Sequence, residues 1–542
     1  MSDRIEIYDS TLRDGAQAEG ITYSLEDKLL IARRLDELGV DYIEGGWPNP
    51  TNPKDLAFFE RIGDLGLRAQ VTAFGSTRRP SNAPEDDATL RTLLQAQTQS
   101  VAVFGKSWDL HVTEVLKATR DENLQLIEDS VGYLVSEGRE VIYDAEHFFD
   151  GYKADAAYAL ETLRAAARGG ARVLALCDTN GGTLPSELTT IFAAAQEAAG
   201  DTPLGIHAHN DAGMGAANSV IAVQLGAVQV QGTFNGYGER CGNANLCTVI
   251  PTLELKLGKQ TIGPQKVEDL MIFSRFLSEI ANVAHDHRQP YVGESAYAHK
   301  GGVHIDAMTK DPRCYEHVDP EATGNERRYL VSDQSGGGTV VAKLGRFFPD
   351  LNKKDAIVPE LLNEVKRLEH AGYQFEAAEG SFELLARRTM NLYSDLFRTI
   401  SYRIESRKDT PVSSDASASS DTTVLLQDSQ AIVKVEVGGE ILHTVAEGDG
   451  PVNAIDRALR KALEGVFPSL KSVHLEDYKV RVMSSADGTA ARVRVLIESS
   501  DGHDVWGTVG VSENVIEASW IALADSLHYK LMREAMSQEA GQ

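Results

Sequence analysis

The sequence predicts an α/β protein built on a TIM (β/α)8 barrel. Three observations carry that prediction. Between residues 4 and 240 a unit of short apolar strand, polar loop and helix with 3.6-residue periodicity repeats. It repeats eight times over a length that suits such a barrel. Ionisable residues gather where the strands run into the loops that follow them, the end at which this fold places its chemistry.

The strands are "IEIYDS", "DYIEGG", "RAQVTAFG", "SVAVFG", "EVIYDAEHFF", "RVLALCDTN", "LGIHAHND" and "VQVQGTFNGYG", with helical stretches such as Leu25–Leu38, Asn123–Ser136, Ala154–Ala167 and Ala216–Leu225 between them. A doubly wound open sheet is the competing arrangement. It would carry a glycine-rich dinucleotide turn after its first strand, and "STLRDG" is not one.

The strand ends define the candidate site. Strand one ends in Arg13, Asp14 and Gln17, strand two in Glu44, and strand five in Asp144, Glu146 and His147. Strand six ends in Asp178, Thr179 and Asn180, strand seven in His207 and His209, and strand eight runs into Glu239, Arg240 and Asn243. The opposite ends read as poor in ionisable groups. "HAH" is the most specific local signal, because residues i and i+2 of a strand face the same side. His207 and His209 therefore point together into the barrel mouth. Two imidazoles and a carboxylate from another strand make a ligand set for a divalent ion with open positions. Asp14 is the expected third ligand and Asn243 a fourth, or else a loop cap. Cys241 reads as a small buried residue, with no base paired to it.

Composition narrows the partners. The 542 residues carry a net charge of −27, which argues against nucleic acid or an anionic membrane and requires a local cation for any anionic substrate. The four cysteines form no C-x-x-C pair, and no apolar run approaches the ~18 residues of a membrane span. A cytoplasmic location is expected.

Together "STLRDGAQ", "AEHFFDG", "LCDTNGG", "IHAHND", "NGYGERCGNANL" and "AHKGGVHIDA" resemble the metal-dependent acyltransferase barrels that include the 2-isopropylmalate, homocitrate and citramalate synthases. "YDSTLRDGAQAEG", "IEGGWPNP" and "FGKSWDLHV" most resemble the citramalate branch. The commoner family form has Glu at the Ala16 position and an "EVGFP"-like second strand, departures that bear on the acceptor keto acid. The resemblance implies condensation of acetyl-CoA with a 2-keto acid, pyruvate in that branch, followed by thioester hydrolysis. A divalent ion (Mn²⁺, Mg²⁺, Zn²⁺ or Co²⁺) on Asp14, His207, His209 and Asn243 would chelate the acceptor.

Within that frame Arg13 offsets alkoxide charge, Thr179 bonds the substrate carboxylate, and Glu146 orients or deprotonates acetyl-CoA. Gln17, Glu44 and Asp144 join the substrate-binding set, while Phe74 and Phe104 crowd the acceptor pocket and Lys106 faces solvent or CoA phosphate. His304 and Tyr315 match catalytic positions of a subdomain that covers the mouth. The rivals are a sister synthase with another acceptor, a non-catalytic acyl-CoA or amino-acid sensor, and a carbon–carbon lyase.

The expected organisation is a catalytic barrel over 1–270, helical subdomains over 271–405, a Ser/Asp-rich linker over 406–423 and an α+β regulatory domain over 424–542. "DQSGGGTV", Asp333 to Val340, resembles the family's "SG(K/R)" segment with Gly in place of the basic residue, and reads as a hinge, helix cap or ligand contact. In the last domain "EGDGPVNAIDRAL" and "GVSENVIEASWIAL" open two helices whose N-terminal amides could hold a carboxylate. Resemblance to the family's regulatory domain implies isoleucine as effector and a homodimer.

Overall fold

Eight parallel strands close into a barrel in strict sequence order in the computed structural model, which describes residues 3–49, 51–331, 336–345, 347–408, 427–483 and 491–540. They are β1 (Glu6–Asp9), β2 (Tyr42–Gly46), β3 (Gln70–Ser76), β4 (Ser100–Lys106), β5 (Glu140–Glu146), β6 (Val173–Asp178), β7 (Leu204–Ala208) and β8 (Gln229–Gly232). Closure is made by β1 against β8, with Ile7 opposite Val230.

The period-two pattern sorts the side chains. Ile7, Ile43, Val101, Val103, Val141, Leu174, Leu176 and Ile206 belong to the core shared with the helices. Tyr8, Tyr42, Phe74, Ala102, Ile142 and Val173, one residue out of phase, fill the barrel interior. A helix follows each strand: α1 (Leu25–Leu38), α2 (Pro53–Ile62), α3 (Ala88–Gln95), α4 (Arg120–Ser136), α5 (Ala156–Gly169), α6 (Pro185–Ala199), α7 (Gly215–Leu225) and α8 (Leu246–Leu257). Local chemistry sets their limits. Ser24 and Asp27 form a capping box at the start of α1, and Gly39 ends it in a left-handed conformation at φ +97°.

The bottom of the barrel departs from expectation. Glu6 and Glu140 open β1 and β5 on the same faces as Tyr8 and Ile142. Arg172 donates to Glu6 at 2.9 Å and lies 3.4 Å from Glu140. Arg4 pairs with Asp41 beside them. This end is thus lined by ion pairs, three carboxylates sharing two guanidinium groups. The opposite strand ends were expected to be poor in ionisable groups, and pairs 32 to 166 residues apart in sequence leave no local mark.

Two units divide the chain: Met1–Tyr297 with Glu316–Arg327, and Ala298–Tyr315 with Arg328–Gln542. The second holds the helices Gly302–Met308, Gly337–Leu344, Ile357–His370 and Glu379–Thr389. It then repeats one motif, three antiparallel strands and a helix. Phe397–Lys408, Gln427–Val437 and Glu440–Gly448 precede Pro451–Leu463, and His474–Val482, Val493–Ser500 and Val505–Ser512 precede Val515–Ala540. Ala454, Ile455, Ala458 and Leu459 of the first helix share a core with Val433 and Val435 of the first sheet, and with Trp520, Leu523 and Leu527 of the second helix. The strand Phe397–Lys408 corrects the expected bounds, since it runs from the end of the region expected to be helical into the start of the expected linker and pairs with Gln427–Val437.

Residues 409–426, which hold most of the expected linker, lie outside the described residues, as do 333–335 of the "DQSGGGTV" segment. Gly336 caps the helix Gly337–Leu344, so the rest of that segment opens a helix. Among the described residues no helix is long and apolar enough to cross a membrane.

Candidate active site

β7 delivers both imidazoles. His207 lies within the strand and His209 one residue past its end, so period two puts them on one side, with ring centroids 5.3 Å apart. The loop after β1 brings Asp14 against them. Its Oδ2 is 3.3 Å from His207 Nε2 and 3.8 Å from His209 Nε2. All three are buried, with ligand atoms within 4.8 Å of one another.

The surroundings prepare these atoms as ligands. Gln231 on β8 donates through Nε2 to Asp144 Oδ1 at 3.0 Å, which turns its Oε1 toward His207 Nδ1 at 2.8 Å. Nδ1 must then donate, which leaves Nε2 as the nitrogen turned toward Asp14, and that carboxylate raises His207 against the opposing effect of burial. Burial and the neighbouring His207 pull His209 down to about 4, so it is neutral at pH 7 with a free lone pair. Burial works against the Asp14 carboxylate, but Arg13 and the two imidazoles outweigh it and hold Asp14 well below the usual carboxylate range. Asn243 pairs its backbone with that of His209. Its Nδ2 donates to the Tyr237 carbonyl at 3.1 Å, while its buried Oδ1 has no hydrogen-bond partner among the described residues. A carboxylate, two imidazoles and an unsatisfied amide oxygen are a donor set that fits a divalent ion.

Arg13 joins this cluster to a second one. Its Nη1 is 3.1 Å from Asp14 Oδ2 and its Nε donates to Glu44 Oε2 at 2.8 Å. Glu44 is fully buried on β2 and also accepts from the Tyr8 and Ser10 hydroxyls. Three donors thus occupy the Glu44 carboxylate, and its evident work is to aim Arg13.

A cavity of about 550 Å³ opens above these groups, lined by Arg13, Asp14, Gln17, Phe74, Phe104, Asp144, Glu146, Thr179, His207 and His209. Burial pushes Asp144, at its floor, up to about 6. Thr179 Oγ1 accepts from the His147 amide at 2.9 Å, with His147 in a left-handed backbone at φ +55°.

The HMGL-like family matches residues 4–273, the homocitrate synthase post-HMGL domain-like family residues 291–372, and the LeuA allosteric (dimerisation) domain residues 376–531. The (R)-citramalate synthase of Geobacter sulfurreducens is 51% identical over 528 residues, which cover 97% of both chains. That of Aquifex aeolicus is 50% identical over 537 residues, 98% of this chain and 99% of that one. The chain belongs to the (R)-citramalate synthase family.

Within this family member the strand-end reading brought Asp14, His207, His209 and Arg13 to one point. It expected Lys106 to face solvent or CoA phosphate. Instead the β4–β5 register sets Lys106 opposite Glu146, and the two side chains form an ion pair. Cys241, expected to be buried, is exposed. The turn that carries it needs glycine at 242, where φ is +83° and a Cβ would stand 1.9 Å from the Gly236 carbonyl, and this tight path turns Cys241 outward. His304 and Tyr315 stack on each other with centroids 4.1 Å apart, in the second unit.

Trp47, Lys28 and Asp55 also line the cavity, and sequence reasoning missed them. Trp47 follows Gly45 and Gly46 directly, a bare stretch that signals close packing. Lys28 comes from a helix interior and carries no such mark.

Proposed function

We propose that the chain condenses acetyl-CoA with pyruvate and hydrolyses the thioester, giving (R)-citramalate and CoA in isoleucine biosynthesis. The observation that carries this reading is the buried Asp14–His207–His209 cluster, with Arg13 beside it, beneath an aromatic-walled cavity. A divalent ion held by Asp14, His207, His209 and Asn243 supplies Lewis-acid polarisation of the keto group when bound. Mn²⁺, Mg²⁺, Zn²⁺ and Co²⁺ all suit these donors.

The chain's own residues account for the remaining steps. Thr179 donates to the acceptor carboxylate. Glu146 lies at the end of β5, where it orients acetyl-CoA and takes a proton from its methyl group. The resulting carbanion attacks the keto carbon, and the proton that Glu146 took passes to the new alkoxide, which gives the product hydroxyl and restores the Glu146 carboxylate. Arg13, fixed by Glu44, stabilises that alkoxide while its charge develops. Water then attacks the thioester carbonyl and CoA leaves as the thiol. Phe74 and Phe104 leave room for a methyl group and crowd an isopropyl group. Gln17 and Asp144 border the same space, and His304 and Tyr315 complete the machinery in the family.

The LeuA-type domain supports a homodimer; isoleucine, the end product of the route, is the effector we assign to it, and the cytoplasm the location we assign to the enzyme. The barrel over 1–270 and the helical region that follows it serve catalysis, and the LeuA-type domain, matched from residue 376 and including the strand Phe397–Lys408, serves control.

Thiol release from acetyl-CoA, followed with pyruvate, 2-ketobutyrate, 2-ketoisovalerate and 2-ketoglutarate under one metal condition, tests this reading. Pyruvate should give the highest kcat/KM, by about 10–200-fold over 2-ketoisovalerate, the range that apolar size discrimination supports. A higher value for 2-ketoisovalerate or 2-ketoglutarate would reassign the acceptor.

A further inference from the structure

The acceptor pocket has a third aromatic wall, and it is held from outside the barrel. Phe74 and Phe104, on β3 and β4, stack at 5.3 Å between centroids. Trp47 stands edge-on to both, 5.8 Å from Phe74 at 85° and 5.7 Å from Phe104 at 81°. The three rings line the same cavity as the metal-ligand cluster.

Trp47 has no strand to fix it, because β2 ends at Gly46. Its backbone amide instead donates to Asp55 Oδ2 at 3.0 Å, and Asn52 Nδ2 donates to the same oxygen at 2.8 Å. The other oxygen of Asp55 receives the Lys28 ammonium, which reaches across from α1. The pair is nearly dry, with side chains 3% and 9% exposed. The turn is shaped for this contact. A Cβ at Gly46, where φ is +143°, would sit 2.4 Å from Asp55 Oδ2, and one at Gly45 would sit 2.2 Å from the Phe58 ring of α2.

A buried ion pair contributes little net stability against apolar replacements, and this one is bonded directly to the Trp47 amide, which points to a positional role. We propose that Trp47 is a specificity-determining residue for the 2-keto acid, and that Lys28 and Asp55 are positioning residues that clamp it at the distance excluding side chains larger than methyl. This inference rests on pyruvate being the acceptor. Lys28, Asp55 and Trp47 belong neither to the metal-ligand set nor to the bonds that hold Arg13, so the clamp sets the size of the acceptor without taking part in bond making.

The test is the ratio of kcat/KM for 2-ketobutyrate to that for pyruvate. Both values come from one preparation, so the ratio is untouched by the fraction of folded enzyme. In Trp47→Leu it should rise at least about tenfold, the scale of one methylene in an apolar pocket. Lys28→Met combined with Asp55→Asn, close in shape to the native pair and equal in net charge, should raise it about threefold while KM for acetyl-CoA holds. If that double variant does not fold, Lys28→Met alone, which leaves Asp55 its Trp47 amide and Asn52 donors, is read by the same ratio and decides the role of the clamp. A wild-type preference for pyruvate with an unchanged ratio in Trp47→Leu would overturn the inference and leave the proposed function standing. A wild-type preference for 2-ketoisovalerate would overturn the function and the inference with it.

Discussion

The Arg13 guanidinium carbon lies 3.8 Å from the centroid of the Phe74 ring. One face of the guanidinium thus rests on an aromatic surface while its edge is divided between Glu44 and Asp14. A planar fork can satisfy all three contacts together, and a lysine ammonium cannot. Arg13→Lys should therefore keep the charge, lose the alignment, and lower kcat by at least ~100-fold, a typical cost of losing an oxyanion donor. Steady-state kinetics with saturating acetyl-CoA read this directly. A loss of only a few-fold would reduce Arg13 to scaffolding.

The three-ligand cluster predicts a separation of activity from stability. Asp14→Ala or His207→Ala should abolish turnover and metal binding, yet leave the circular dichroism of the barrel unchanged, because neither side chain belongs to its apolar core. Calorimetric titration with Mn²⁺ after chelator treatment provides the second readout. Saturable high-affinity binding in either variant would remove that residue from the ligand set.

Gln231 predicts a graded effect. It fixes the His207 tautomer and is itself fixed by Asp144. Gln231→Leu keeps the volume but frees the imidazole to rotate, and loss of such a partner weakens metal affinity by about 10–100-fold. The variant should regain activity as Mn²⁺ is raised, unlike His207→Ala.

A pH prediction comes from the second unit. His528 stacks on Phe397 with ring centroids 3.9 Å apart, beside the Tyr393 hydroxyl, and lies 4.0 Å from Asp395. Burial pulls it down to about 4, with Asp395 opposing and Arg388 reinforcing that fall. Because the folded value is depressed below the unfolded one, near 6.5, the folded state binds fewer protons in that window. Its stabilisation is complete above pH 6.5 and is lost as pH falls toward 4. Thermal melting between pH 7 and 4.5 should therefore show a steeper decline for wild type than for His528→Gln. Parallel curves would mean that His528 does not titrate there.

What could be read from the chain and what could not follow from distance in sequence. Asp14, His207 and His209 were legible because strand periodicity and the barrel's known reactive end fix direction without any tertiary knowledge. Glu44 was legible as a position, but its engagement by Tyr8, Ser10 and Arg13 was not, since that depends on how neighbouring strands align. Lys106 was misplaced for the same reason, one register pair deciding whether it meets solvent or Glu146. Lys28 and Asp55 escaped altogether. A helix lysine and a first-turn aspartate are ordinary surface residues until two βα units are packed side by side.

The interleaving of the two units has a practical consequence for dissecting this chain. Pro320–Thr323 and Asn325 return to the first unit after an excursion, and Asn325 Nδ2, itself buried, donates to the Tyr291 and Gly293 carbonyls at 2.9 Å. Lys256 on α8 bonds the His317 carbonyl in the same segment. Truncation at Tyr297 would strip these partners and leave two carbonyls bare, so a fragment ending there should aggregate where one ending at Arg327 stays in solution. Exchange of the regulatory half between relatives meets the same obstacle. A chimera joined before residue 298 imports a foreign strap onto a native barrel, whereas one joined after residue 327 inherits barrel and strap as a matched set.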